Sequence, residues 1–364
     1  MSLSNQISCV FVFYSILVIT VAGGVALCTL FFLVRWADHL GLVQSANARS
    51  SHLGSRPTGG GTAIVLASAV SGVLILPYRA DPVLVPVAIA TLLALVGLAD
   101  DLKYISIRVR LFAQFAAVGA LLIFFEFGFS LLAVLSQIGP VWLLAPALLI
   151  WGVLWINLFN FMDGIDALAA SEAVFVLLCM LFLSSLSPSW ALSGTWLWLA
   201  SVALAGFVFL FFNWAPAKIF MGDVGAYFFS FCILLGALWG MVSGQLSPFS
   251  SFILVALFAS DGLVTLTRRV GSGQNWTGGH RTHAYQYLAR RFSHGAATLI
   301  YLGINILWLF PLAFLVQRQL TNPFLALFAA YGPLVIAVVW GKAGKPETGV
   351  SPPAKSEQSR SGHA

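Results

Sequence analysis

Long apolar runs separated by short polar segments make up most of the chain, with no fixed-period repeat. A helix needs roughly 20 mostly apolar residues to cross a bilayer. Read by hydropathy, the runs predict eleven membrane-spanning helices, at approximately 7–34, 59–77, 82–99, 109–127, 141–157, 165–186, 194–212, 223–242, 249–266, 296–316 and 322–341. Residues 128–140 read as a connection. The expected fold is all-α and polytopic, a single transmembrane domain over 1–341. A disordered tail over 342–364 follows, rich in Ser, Gly, Pro and charge. The first run lacks a basic start and is too long for the apolar core of a signal peptide, so it reads as a span.

Composition strengthens this picture. Of 364 residues, 60% are hydrophobic and 8% charged, where a soluble domain carries about 25% charged residues. A water-soluble fold is excluded. Cys9, Cys28, Cys179 and Cys232 all lie inside apolar runs, without the spacing of metal ligands, and read as buried thiols.

Charge then orients the chain. Sixteen of the 18 lysines and arginines fall on one set of alternate loops, and only Arg79 and Arg318 on the other. The positive-inside rule assigns the first set to the cytoplasm, with the N-terminus outside and the C-terminus cytoplasmic. Membrane lipids account for the net charge of +6: anionic headgroups suffice, and no nucleic-acid partner is needed.

With the spans assigned, Asp100, Asp101, Asp163, Asp166 and Asp223 all fall at ends on the basic side, and Asp261 one to two turns inside the ninth span. Ionisable residues at membrane depth are costly and usually functional. Asp100-Asp101 ends a span, where the helix dipole disfavours anions; a cation or a phosphate-bound metal would remove that conflict. In Asn157-Leu-Phe-Asn160-Phe-Met-Asp163-Gly-Ile-Asp166 the polar residues recur every third position, so several can share one face. Asn213, Lys218 and Phe220 precede Asp223, which opens a span and could be a simple cap. His280-Arg281-Thr-His283 sits among arginines, donors suited to a diphosphate; zinc is the weaker alternative, because no third ligand stands at standard spacing. Arg56-Pro-Thr-Gly59-Gly60-Gly61 can bring backbone N–H groups to an anion, although no Gly-Lys-Ser/Thr follows to make a P-loop.

These five segments, in this order, resemble the polyprenyl-phosphate N-acetylhexosamine-1-phosphate transferases. The motifs are Arg49…His52…Arg56-Pro-Thr-Gly-Gly-Gly, Asp100-Asp101, Asn157-x-x-Asn160-x-x-Asp163-Gly-x-Asp166, Asn213…Phe220-Met-Gly-Asp223-x-Gly225 and His280-x-x-His283. The resemblance implies a single catalytic domain in a bacterial inner membrane, active at the cytoplasmic face. It implies Mg²⁺, with Mn²⁺ as a substitute, held by Asp223 with Asp101 nearby. It makes Asp100, Asp101, Asp163, His280 and His283 catalytic, with Asp100 as base or covalent nucleophile. Asn157, Asn160, Asp166, Asn213, Lys218, Phe220, Arg281, Arg56 and Gln286 are implied to bind substrate, Phe220 stacking on uracil. The implied partners are a UDP-N-acetylhexosamine and undecaprenyl phosphate, with room for a homodimer.

Three positions depart from the common pattern: Ala167 and Ala226, where relatives have Gly and Ser, and Ala284, where many have a further histidine. The His-Arg-x-His-Ala-Tyr-Gln form resembles O-antigen initiators that use 6-deoxy sugars such as N-acetylfucosamine or N-acetylquinovosamine. Two other classes compete. A transporter would place charge near the bilayer midplane, and an intramembrane aspartyl protease would need only two facing aspartates. Neither requires the histidine segment or the asparagine-rich patch.

Overall fold

The computed structural model describes residues 3–37, 39–44, 56–76, 83–137, 139–274 and 281–345. Arg49, His52, Arg79, His280 and the tail beyond Lys345 lie outside the described residues. Every predicted apolar run forms helix: α1 Leu3–Trp36, α2 Gly61–Ile75, α3 Leu84–Lys103, α4 Ile107–Phe129, α6 Val141–Phe161, α7 Leu168–Ser185, α8 Gly194–Asn213, α9 Gly222–Val242, α10 Pro248–Leu254 with α11 Ala256–Gly271, α13 His294–Ile304 with α14 Phe310–Gln317, and α15 Pro323–Trp340. A π-helical turn, Asn305–Leu309, joins α13 to α14. Two short helices complete the set: α5 Leu131–Ser136, inside the stretch read as a connection, and α12 Ala284–Arg291. Strands β1 Val43–Gln44 and β2 Arg56–Pro57 form one antiparallel pair.

The described residues do not reach the expected count of about eleven spans. Among the described residues, nine helices are long and apolar enough to cross a membrane. The ninth predicted span bends by 65° between α10 and α11, so it counts as a tenth only if the bent pair is one crossing. α2 has 15 residues, about 22 Å of helix against a hydrocarbon core of about 30 Å. Hydropathy reports apolar length, not direction, and so cannot see the bend.

α9 is the central post. Of its membrane window 89% is buried inside the protein, against 22% for α15, so α9 is surrounded by helices while α15 faces lipid. It packs against α2, α3, α6 and α7. Without a hydrophobic drive between helices in lipid, close packing and interhelical hydrogen bonds hold such a bundle. The Trp155 indole N–H donates to the Ser230 carbonyl at 3.0 Å, tying α6 to α9, and that of Trp198 to the Ser68 carbonyl at 2.9 Å, tying α8 to α2. This packing sets the ends of α3, α4, α6 and α9 together at one end of the bundle.

Candidate active site

The site begins with a close approach of two helices. At Gly97 a Cβ would stand 2.6 Å from the Asp223 carbonyl oxygen, so only glycine lets α3 lie against the start of α9. One turn on, the Asp101 Oδ1 accepts the Asp223 N–H at 3.0 Å and Oδ2 the Val224 N–H at 3.2 Å. α9 has no side-chain cap of its own. Asp101 supplies it from another helix, where a carboxylate suits the positive end of the dipole. Both oxygens of Asp101, expected beside the metal, are thus engaged with backbone.

Asp100 faces the other way. Its Oδ1 accepts the Ile105 N–H at 2.6 Å, and its Oδ2 pairs with Arg110 Nη1 at 2.8 Å. The same Arg110 nitrogen lies 3.8 Å from Asp223 Oδ2. Asn160, in the last turn of α6, donates from Nδ2 to Asp223 Oδ1 at 2.8 Å. Four helix ends therefore meet at Asp223. The conflict of two anions at the end of α3 is resolved inside the protein, by the α9 terminus for Asp101 and by Arg110 for Asp100.

The turn after α6 carries Asp163 and Asp166. Asp163 is half-buried and makes no side-chain hydrogen bond or ion pair among the described residues. Burial first, then the charges of Asp223 and Asp166, pushes its carboxyl up to about 8. Asp166 is buried, and its Oδ2 accepts the Ala217 N–H at 3.1 Å. Ala167 follows with φ 64°, the left-handed conformation that favours glycine. Asn213 holds that turn: its Oδ1 accepts the Ala167 N–H at 3.0 Å while its Nδ2 donates to the Ile219 carbonyl at 2.9 Å. Asn157 forms an amide pair with buried Gln114 of α4, donating from Nδ2 to Gln114 Oε1 at 2.7 Å.

Several expected binders serve the frame. The Gly60 and Gly61 N–H groups, read as anion donors, donate to the carbonyls of Phe220 and Met221, each at 2.9 Å. Arg56 Nη1 donates to the Ala217 carbonyl at 2.6 Å. Phe220 is half-buried, its N–H bonded to the Pro57 carbonyl. Lys218 is exposed, with Nζ 5.9 Å from the centre of the Phe212 ring, and is not brought to the carboxylates.

The histidine segment docks beside this cluster through Asp261. Asp261 is fully buried and accepts from Ala284 N–H at 3.0 Å, Tyr285 N–H at 3.1 Å, Tyr301 O–H at 2.7 Å and Thr265 O–H at 3.2 Å; His283 Nδ1 lies 3.3 Å away. His283 is 1% exposed and its ring stacks on Tyr285. Gln286, expected at the sugar, is buried, and its Oε1 accepts the His283 N–H at 3.2 Å in a capping box. Burial, with the charges of Asp261 and Asp163, pushes the Tyr285 phenol well above its usual range. Its O–H donates to the Phe161 carbonyl at 2.9 Å, next to the Asp163 turn. The half-buried Arg281 accepts on its carbonyl from Arg290.

Among the described residues no three His, Cys, Asp or Glu side chains form a group able to hold a metal by themselves. Mg²⁺ rarely needs such a cage: it keeps its waters and takes one or two carboxylates plus substrate phosphates. The donor set at Asp223 and Asp163 is of that kind. The sequence reading missed Arg110 as a site residue, counting it only as a cytoplasmic charge, and its signal is a cation one short turn beyond Asp100-Asp101. It also left out Asp261, whose signal is an acid inside an apolar run.

The profile of glycosyl transferase family 4 matches residues 83–241, a stretch that contains Asp100, Asp101, Arg110, Asn160, Asp163 and Asp223. The chain is 28% identical over 302 residues to a probable undecaprenyl-phosphate N-acetylglucosaminyl 1-phosphate transferase of Bacillus subtilis, covering 79% of this chain and 80% of that protein. It is 28% identical over 278 residues to the undecaprenyl-phosphate alpha-N-acetylglucosaminyl 1-phosphate transferase of Escherichia coli K12, covering 72% of each. A phospho-N-acetylmuramoyl-pentapeptide-transferase of Wolinella succinogenes is 28% identical over 246 residues, covering 57% of this chain and 70% of that protein. With its multi-pass helical fold and one converging set of motif carboxylates, the chain is similar to these transferases and, over residues 83–241, to glycosyl transferase family 4.

Proposed function

We infer that the protein transfers an N-acetylhexosamine 1-phosphate from a UDP-sugar to undecaprenyl phosphate, releasing UMP, at the cytoplasmic face of a bacterial inner membrane. The observation that carries this reading is the gathering of Asp100 and Asp223 at one Arg110 nitrogen where four helix ends meet, with Asn160 on Asp223 and Asp163 close enough to feel the Asp223 charge. The bias of Lys and Arg to one set of loops supports the cytoplasmic assignment.

The residues present fit Mg²⁺. Asp163 accepts no hydrogen bond among the described residues and feels the charges of Asp223 and Asp166, so a cation would favour its ionised form, and hard carboxylate oxygens suit that cation. Asp223 and Asp163 would hold it, and when bound it would neutralise the diphosphate and stabilise departing UMP. The protein's own part is positioning. Arg110, kept in place by Asp100, presents a planar donor fork suited to a phosphate. Asn160 orients Asp223, and Asp101 keeps the start of α9 in register. The lipid phosphate has a second pKa near 6, so its oxygen is already charged at neutral pH. It attacks the β-phosphorus, the bond to the bridging oxygen breaks, and UMP leaves with that electron pair. Alignment and electrostatics supply most of the rate.

UDP-N-acetylglucosamine is the first donor to test, followed by UDP-N-acetylfucosamine and UDP-N-acetylquinovosamine, which the His283-Ala-Tyr-Gln286 form favours. Any of these would begin a lipid-linked O-antigen or another envelope polysaccharide. Purified protein with undecaprenyl phosphate, Mg²⁺ and this donor panel should release UMP only when the lipid is present, and chelation should stop it. Absence of UMP with every donor would overturn the reading.

A further inference from the structure

Helix α13, with the π-helical turn that continues it, carries a stripe the reaction has not yet used. His294, Thr298, Tyr301 and Asn305 stand at spacings of four, three and four, one face of a helix. Each meets a carboxylate residue of another element. The Thr298 hydroxyl donates to the Asp166 carbonyl at 2.9 Å, the Tyr301 hydroxyl to Asp261 Oδ2 at 2.7 Å, and Asn305 Nδ2 to Glu172 Oε2. His294 Nδ1 lies 3.6 Å from Asp166 Oδ2 and 3.5 Å from the Asp166 backbone nitrogen. Polar stripes of this kind are often simple glue between membrane helices, which accounts for Tyr301 and Asn305, both buried. The upper two residues differ. They converge on one residue of the site, gripping its backbone on both sides and approaching its carboxylate, and the His294 side chain is 19% exposed at the site end.

We propose that His294 and Thr298 are positioning residues of the nucleotide-sugar site, setting the pose of Asp166 for the uridine diphosphate of the donor. The proposal rests on the reading of this site as a UDP-sugar site. Two further contacts hold this turn: the Ala217 N–H donates to the Asp166 carboxylate, and the residue that follows is clamped by Asn213. Asp163 lies three residues earlier in the same turn, so a shift of Asp166 would also move the carboxylate next to Asp223.

The test is equilibrium binding of UDP, with Mg²⁺, to the purified full-length protein by calorimetry. His294→Ala should weaken UDP binding about tenfold, the worth of one hydrogen bond to a charged group. His294→Asn places an amide where Nδ1 stands and should recover most of the loss; His294→Gln reaches instead toward Nε2 and should not. Thr298→Val keeps the volume, so it tests the proposal even if His294→Ala fails to fold, and it should weaken UDP binding about fivefold. Undecaprenyl phosphate binding should stay within about twofold in all of them. The proposal is overturned if His294→Ala and Thr298→Val bind UDP like the parent, or if Gln restores binding as well as Asn. It is also overturned if UDP and lipid binding fall together with the thermal midpoint, the mark of a purely structural role. Failure of the parent protein to bind UDP would remove the nucleotide-sugar reading itself and this proposal with it.

Discussion

Two aspartate centres lie close together at one end of the bundle, and they are built on opposite principles. At Asp261 the protein supplies a full set of donors, four hydrogen bonds and a histidine nitrogen, to one fully buried carboxylate. At Asp223 it does the reverse, bringing Asp100 and Asp163 beside a third carboxylate with Arg110 as the guanidinium bridging two of them. A saturated buried anion is a structural post, because nothing is left for a ligand to satisfy. An unsaturated cluster of like charges is held together at a cost that a bound cation can offset. Residue type is the same in both places, and the supply of donors separates support from chemistry.

The largest effect expected on breaking this contrast is at the open centre. Asp223→Asn keeps the side-chain size and leaves the Asp101 cap on α9 intact. UMP release should fall by a factor on the order of a thousand, while thermal unfolding in detergent stays near that of the parent. Normal turnover would reduce Asp223 to a helix-end charge. Arg110→Met comes next. It removes the guanidinium while leaving the carboxylates, so turnover should drop about a hundredfold as the apparent affinity for Mg²⁺ rises, because less positive charge competes with the ion. Titrating Mg²⁺ against initial rates measures both, and unchanged turnover with unchanged Mg²⁺ affinity would remove Arg110 from the cluster.

Asp261→Asn should act through the fold. An amide NH₂ would face groups that are already donors, so a destabilisation of about 3–5 kcal/mol is expected, read as a lower thermal midpoint and poorer yield from membranes. Protein that folds normally but has lost turnover would move Asp261 from support to chemistry. The smallest effect belongs to a third buried acid. Glu172 Oε2 accepts from Asn305, while Glu172 Oε1 and Asn305 Oδ1 have no hydrogen-bond partner among the described residues. Glu172→Gln keeps the acceptor and adds a donor for Asn305 Oδ1, so stability should change by less than about 1 kcal/mol and turnover by less than about twofold. A large loss would show that the carboxylate charge at Glu172 matters.

The sequence alone determined that this is a polytopic helical membrane protein, because apolar length and polar backbone leave a bilayer few other solutions. Each apolar run became helix, and Asp100, Asp101 and Asn160 stand at the start of α9 around Asp223. Both are local matters, set by composition and by which span ends fall on one side. What only the tertiary structure decided is the division of labour among residues of equal chemistry. Asp100 and Asp101 are neighbours in the chain, yet one pairs with Arg110 and the other caps α9. Asn160 holds Asp223, whereas Asn157 pairs with Gln114 and Asn213 clamps the left-handed Ala167. Gln286 caps a helix that Asp261 anchors from another. A polar side chain's role is set by the donors and acceptors that reach it, and here those come from helices distant in the sequence, at separations fixed by packing contacts such as Gly97 against the start of α9.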